Sequence, residues 1–63
     1  MEKLIKFMEN TYKGAEEFRG NSTMILALKQ QAFGAAAFCL EMTNDIEAIK
    51  EYEKIAPRFD ALL

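Results

Sequence analysis

The sequence predicts an all-α protein: an antiparallel helical hairpin whose second helix is long and tolerates a kink, associating through that helix into a dimeric helical bundle. Three observations carry this expectation. Apolar residues recur at alternating steps of three and four through Ile25, Leu28, Ala32, Ala35, Cys39, Met42, Ile46 and Ile49, the period of a helical seam rather than of a strand. Helix propensity fails early only at Gly20-Asn21, where glycine suits a left-handed helix end and Asn21 or Ser22 can cap the next helix. Finally, 51% of the 63 residues are hydrophobic, more than the thin core of so short a chain needs, because a domain of this size hides only about 60% of the surface its unfolded chain exposes.

The first helix is expected over about residues 2–19. Leu4, Ile5, Met8, Tyr12 and Ala15 share one face, with Phe7, Thr11 and Phe18 beside them. The opposite face is polar, and the pairs Glu2 with Lys6 and Glu9 with Lys13 have the favourable acid-first spacing, each contributing about 0.2 to 0.5 kcal/mol. Gly14 interrupts the helix-forming residues and suggests a place where another backbone comes close.

The second helix is expected over about residues 22–42, continuing or restarting to about residue 56, with a tail at 57–63. From Ala32 to Leu40 it is apolar nearly all round, so more than one neighbour must cover it. Along the seam the side chains run large, large, small, small, small, large, large from Ile25 to Ile46. That near-palindrome about Ala35 suits an isologous antiparallel contact between two copies, lined by Ile25, Leu28, Ala32, Ala35, Cys39, Met42 and Ile46. Gly34 fits close helix packing better than a phosphate loop, for it lacks the glycines and the Lys-Ser or Lys-Thr that such a loop requires.

Thr43-Asn44-Asp45 groups three poor helix formers, and Asn44 with Glu47 resembles a variant capping box. Because Ile46 and Ile49 keep the phase of Met42, one long helix is favoured; a three-helix arrangement with a new helix from Asp45 is the alternative. Pro57 should stop or bend regular helix, since it lacks an amide donor and biases Ala56 away from helical angles. Phe59 and one of the terminal leucines are expected to fold back onto the bundle.

These residues exclude several kinds of chemistry. The chain has one cysteine and no histidine, so neither an internal disulfide nor a zinc cluster is expected, and self-association is the remaining way to strengthen a small core. Cys39 lies among Phe38, Leu40, Ala35 and Ala36, an apolar setting that favours the thiol over the nucleophilic thiolate. Helical di-metal sites use a Glu-x-x-His motif that a histidine-free chain cannot supply, and no nucleophile and base pair is present, so no catalytic residue, cofactor or metal ligand is assigned.

The functional expectation is a non-enzymatic oligomerisation or protein-protein interaction module, partnered by itself as a homodimer or higher oligomer or by another protein. The alternative is a small dimeric nucleic-acid-associated regulator contacting phosphates through Lys3, Lys6, Lys13 and Arg19. Against it stand the formal charge of -2, the pI near 5.0, and Glu2, Glu9 and Glu16 running beside the lysines. Lys29, Gln30 and Gln31 break the central apolar run, and the N-terminal residues lack the apolar block of a signal peptide; both features point to a cytoplasmic protein that does not span a membrane.

Overall fold

Two residues with positive φ, Gly20 at 88° and Asn44 at 55°, divide the chain into three helices. The computed structural model describes all 63 residues. Helix α1 spans Glu2–Glu16, α2 Ser22–Thr43 and α3 Glu47–Asp60. The architecture is all-helical, and its core is a single cluster shared by all three helices.

After Glu16 the chain tightens into short-range turns, with the amides of Glu17, Phe18 and Arg19 donating to the carbonyls of Gly14, Ala15 and Glu16. Gly20 then takes the left-handed conformation that a side chain would strain. Its amide donates to the Leu62 carbonyl at 3.3 Å, so the first turn also anchors the C-terminal end of the fold. Asn21 caps α2 as expected, its side-chain oxygen accepting from the Met24 amide at 3.2 Å.

The second reversal overturns the preferred expectation of one continuous second helix in favour of the three-helix alternative. Asn44 adopts the left-handed conformation and its amide donates to the Leu40 carbonyl at 2.7 Å, which ends α2. Asparagine is one of the few non-glycine residues that visit this region readily. The capping group of the next helix is Asp45 rather than Asn44: its carboxylate accepts from the Glu47 amide at 3.0 Å. The in-phase Ile46 misled because it is not a core residue; it is 63% exposed, while Ala48 supplies the first buried side chain of α3.

Pro57 likewise does not stop its helix, since α3 runs through it to Asp60. A proline within a helix costs about 3 kcal/mol. Here the turn beyond it carries Phe59 and then Leu62, 0% and 2% exposed, into the core, and burying two such side chains offsets a cost of that size at about 1.5 to 3 kcal/mol each. The apolar tail thus folds back as expected, with Leu62 as the buried leucine.

The core consists of Leu4, Met8 and Ala15 from α1, Ile25, Ala32 and Ala36 from α2, and Ala48, Ile55, Phe59 and Leu62 from α3 and its end. Phe59, Met8 and Ile25 are its largest fully enclosed side chains. Alanines on α2 and α3 let the helices approach closely. Only 10 of 63 residues are buried, so much of the chain's apolar surface stays outside.

Candidate interaction surface

Four ion pairs lock the outside of the bundle, and they define which faces are already satisfied. Arg58 on α3 reaches Glu9 on α1 at 2.6 Å, and its guanidinium lies 4.3 Å from the centroid of the Tyr12 ring. Lys29 on α2 meets Asp60 at the end of α3 at 2.7 Å. Along α3, Lys54 pairs with Glu51 at 2.9 Å and Lys50 with Glu47 at 3.4 Å. The hydrogen bonds to Glu9, Asp60 and Glu51 hold the Arg58, Lys29 and Lys54 cations above their ordinary pKa values.

Both tyrosines are half-buried and pack edge-on against phenylalanines. Tyr12 packs edge-on against Phe59 with centroids 5.5 Å apart, and Tyr52 meets Phe33 at 5.2 Å. Phe33, Tyr52, Leu26, Lys29 and Gln30 line a shallow open groove between α2 and α3.

Against this frame the seven residues of the expected dimer seam separate into three groups. Ile25 and Ala32 are fully buried in the protomer's own core, Leu28, Ala35 and Cys39 pack half-buried against it, and Met42 and Ile46 are exposed. The palindrome is therefore not one continuous surface. Its three-four spacing marked the side of α2 that faces inward, and once α3 folds back as a separate helix, the chain itself covers the middle of that seam.

The two most exposed large apolar side chains of α2 lie further round the helix. At 100° per residue, Thr23, Ala27, Gly34, Phe38 and Glu41 fall on the side of α2 opposite Ile25, Ala32 and Ala36, with Gln30 and Gln31 flanking them and Met42 at the edge. Phe38 and Met42 are 64% and 69% exposed, the two most exposed large apolar side chains in the protein. Neither helical glycine is needed for internal packing: a Cβ built on Gly14 or Gly34 meets no atom within 4 Å. Any close approach at these positions comes from outside the chain.

The residues of the nucleic-acid alternative are distributed differently. Lys3, Lys6, Lys13 and Arg19 are all exposed and none enters the four ion pairs, in contrast to Lys29, Lys50, Lys54 and Arg58. Glu2, Glu16 and Glu17 are exposed on the same element and the turn after it, so the local charge is mixed rather than a basic field.

Cys39 sits on α2 with Thr43 as its polar side-chain neighbour, the sulfur 4.0 Å from the Thr43 hydroxyl, which itself donates to the Cys39 carbonyl at 2.7 Å. No cation or general base adjoins the thiol. Glu47, Glu51 and Asp60 of α3 are held in the pairs already described, and no set of three or more thiol or carboxylate ligands converges.

By length and composition alone α2 is long and apolar enough to cross a bilayer, contrary to the expectation that Lys29, Gln30 and Gln31 would disqualify it. Helices at the centre of small bundles meet the same criteria. In this structure the Lys29 charge is paired with Asp60, and Ile25, Ala32 and Ala36 are enclosed by the amphipathic neighbours α1 and α3. Compared with the known protein families, with curated proteins and with solved structures, the chain matches none.

Proposed function

We propose that this protein is a non-enzymatic helical interaction module whose binding surface is the outer face of α2. The observation that carries the reading is the exposure of Phe38 and Met42, at 64% and 69%, on α2 away from its buried Ile25, Ala32 and Ala36. Scattered exposed apolar residues are ordinary on protein surfaces. Here the two are one helical turn apart and follow Gly34 on a helix whose one charged residue before Glu41 is Lys29, itself tied to Asp60. A neighbouring pair of large exposed apolar side chains supports contact with another macromolecule, and the surroundings of Cys39 and of the carboxylates favour a binding role over catalysis.

The test is a photoreactive phenylalanine analogue placed at position 38 in cells expressing the chain, with the same analogue at the exposed Glu53 position of α3 as control. The reading expects covalent adducts with a polypeptide, the same chain or another, from position 38 and not from 53. Absence of adducts at position 38, or equal labelling at both positions, would overturn it.

A further inference from the structure

We propose that Met42 is an oxidation-sensitive modification site in the outer face of α2: transfer of one oxygen to its sulfur disables that face for binding and leaves the fold intact. The proposal rests on the interaction-module reading above, whose surface it makes responsive to peroxide.

The methionines occupy very different settings. Met8 is 2% exposed and belongs to the core, Met24 is half-buried, and Met1 is 43% exposed. Met42, at 69%, is the most exposed large apolar side chain in the protein. It lies in the last turn of α2, just before the left-handed Asn44 and one turn beyond Phe38. Its sulfur is open to a small oxidant in the unbound chain, while the sulfur on which the core depends is shielded.

Hydrogen peroxide supplies the chemistry. A sulfur lone pair attacks one peroxide oxygen, the O–O bond breaks, that oxygen stays on sulfur as a sulfoxide, and the other leaves as water. Sulfur is oxidised by two electrons and peroxide is reduced by two. The change is reversible: two thiols reduce the sulfoxide through methionine sulfoxide reductases, yielding the thioether, a disulfide and water. Cys39, half-buried, has no cation beside it to favour the thiolate that reacts fastest.

Exposure decides what the added oxygen disturbs. At Met42 the sulfoxide is solvated in the unbound chain, so the three-helix core loses no contact. A partner that covers Met42 must strip water from a strong acceptor, and burying such a group unpaired weakens binding by roughly fivefold to a hundredfold. At Met8 the same oxygen would break the core, which its enclosure prevents. Oxidation therefore acts on binding and not on folding.

The experiment uses the purified full chain carrying the photoreactive analogue at position 38. It is treated with dilute hydrogen peroxide, freed of oxidant, and added to untreated lysate of the cells in which adducts form. Peptide mass spectrometry is expected to find the sulfoxide at Met42 before Met24 and Met8, with helical signal and unfolding midpoint retained. The oxidised chain is expected to lose most of its position-38 adducts and to regain them after treatment with reductases for both sulfoxide epimers and a thiol. Met42→Leu is expected to keep its adducts through the peroxide step, although Met1, Met24 and Cys39 remain in it.

Oxidation of Met24 or Met8 ahead of Met42 overturns the proposal. So does undiminished labelling by a chain fully oxidised at Met42, or an equal loss of adducts from Met42→Leu. Absence of adducts from the unoxidised chain is instead the failure of the interaction-module reading, and the oxidation switch falls with it.

Discussion

Arg58 lies between Glu9 and Tyr12, bonding the carboxylate at 2.6 Å while its guanidinium rests 4.3 Å from the ring centroid. Both partners are on α1, so one α3 side chain fastens the first helix to the last. Each contact is modest: an exposed ion pair contributes about 0.2 to 1 kcal/mol and a cation-π contact about 0.5 to 1 kcal/mol. Arg58→Ala should therefore lower unfolding stability by about 1 kcal/mol in denaturant titration. Arg58→Lys should recover only part of this, because an ammonium cannot present the planar fork that serves both partners. Full recovery by lysine would show that charge alone matters.

Lys29 and Asp60 give a second fastening with a pH signature. The hydrogen bond from Lys29 to Asp60 raises the lysine above its ordinary value of 10.5. A folded-state pKa raised in this way contributes stability that is fully present below the unfolded value and is lost as pH rises through the folded one. The expected loss therefore lies on the alkaline side, beginning above 10.5. With Lys29 and Asp60 side chains 24% and 52% exposed, the contribution is that of a screened pair, about 0.2 to 1 kcal/mol. Thermal unfolding from pH 9 upward should show a steeper decline for the native chain than for Lys29→Met; parallel curves would show that the pair contributes nothing.

Asn44 is the residue that converts one long helix into two. At φ 55° an ordinary L side chain is strained by roughly 1 to 2 kcal/mol, whereas glycine is not. Asn44→Gly should keep or slightly raise stability, and Asn44→Ala should lower it by about 1 kcal/mol. If Asn44→Ala were instead neutral, with added helical signal, α2 would run on into α3 in solution.

These two reversals show where the sequence was readable. Gly20-Asn21 announced the first, because glycine and a capping amide have few other uses between amphipathic segments. Asn44 announced the second only weakly, and Ile46 argued against it: periodicity reports phase along a helix but is blind to a left-handed residue that turns the chain while preserving that phase. The same blindness explains the seam. Ile25 and Ala32 carry the strongest apolar period because they face the protomer's own core, so the clearest pattern pointed inward, and the outer face of Phe38, Gly34 and Ala27 was masked by it. Pro57 does not end its helix because of the burial of Phe59 and Leu62 beyond it, which local propensity cannot weigh.

The two helical glycines permit a comparison of stability with self-association. Gly14 and Gly34 both have helical conformation and open space around a would-be Cβ. Alanine at either position should stabilise the isolated protomer by about 0.5 to 1 kcal/mol, through helix propensity and reduced freedom of the unfolded chain. The two variants should diverge as concentration rises. Gly14 lies outside the proposed contact, so Gly14→Ala should keep its gain at every concentration. Gly34 lies on the proposed interaction face of α2, where an added methyl crowds an occupant, so the gain from Gly34→Ala should shrink with concentration if copies of the chain associate through that face. Unfolding midpoints measured at about 1 μM and about 100 μM, bracketing the range in which modest interfaces dissociate, would resolve the two. Identical gains at both concentrations would show that nothing packs against Gly34.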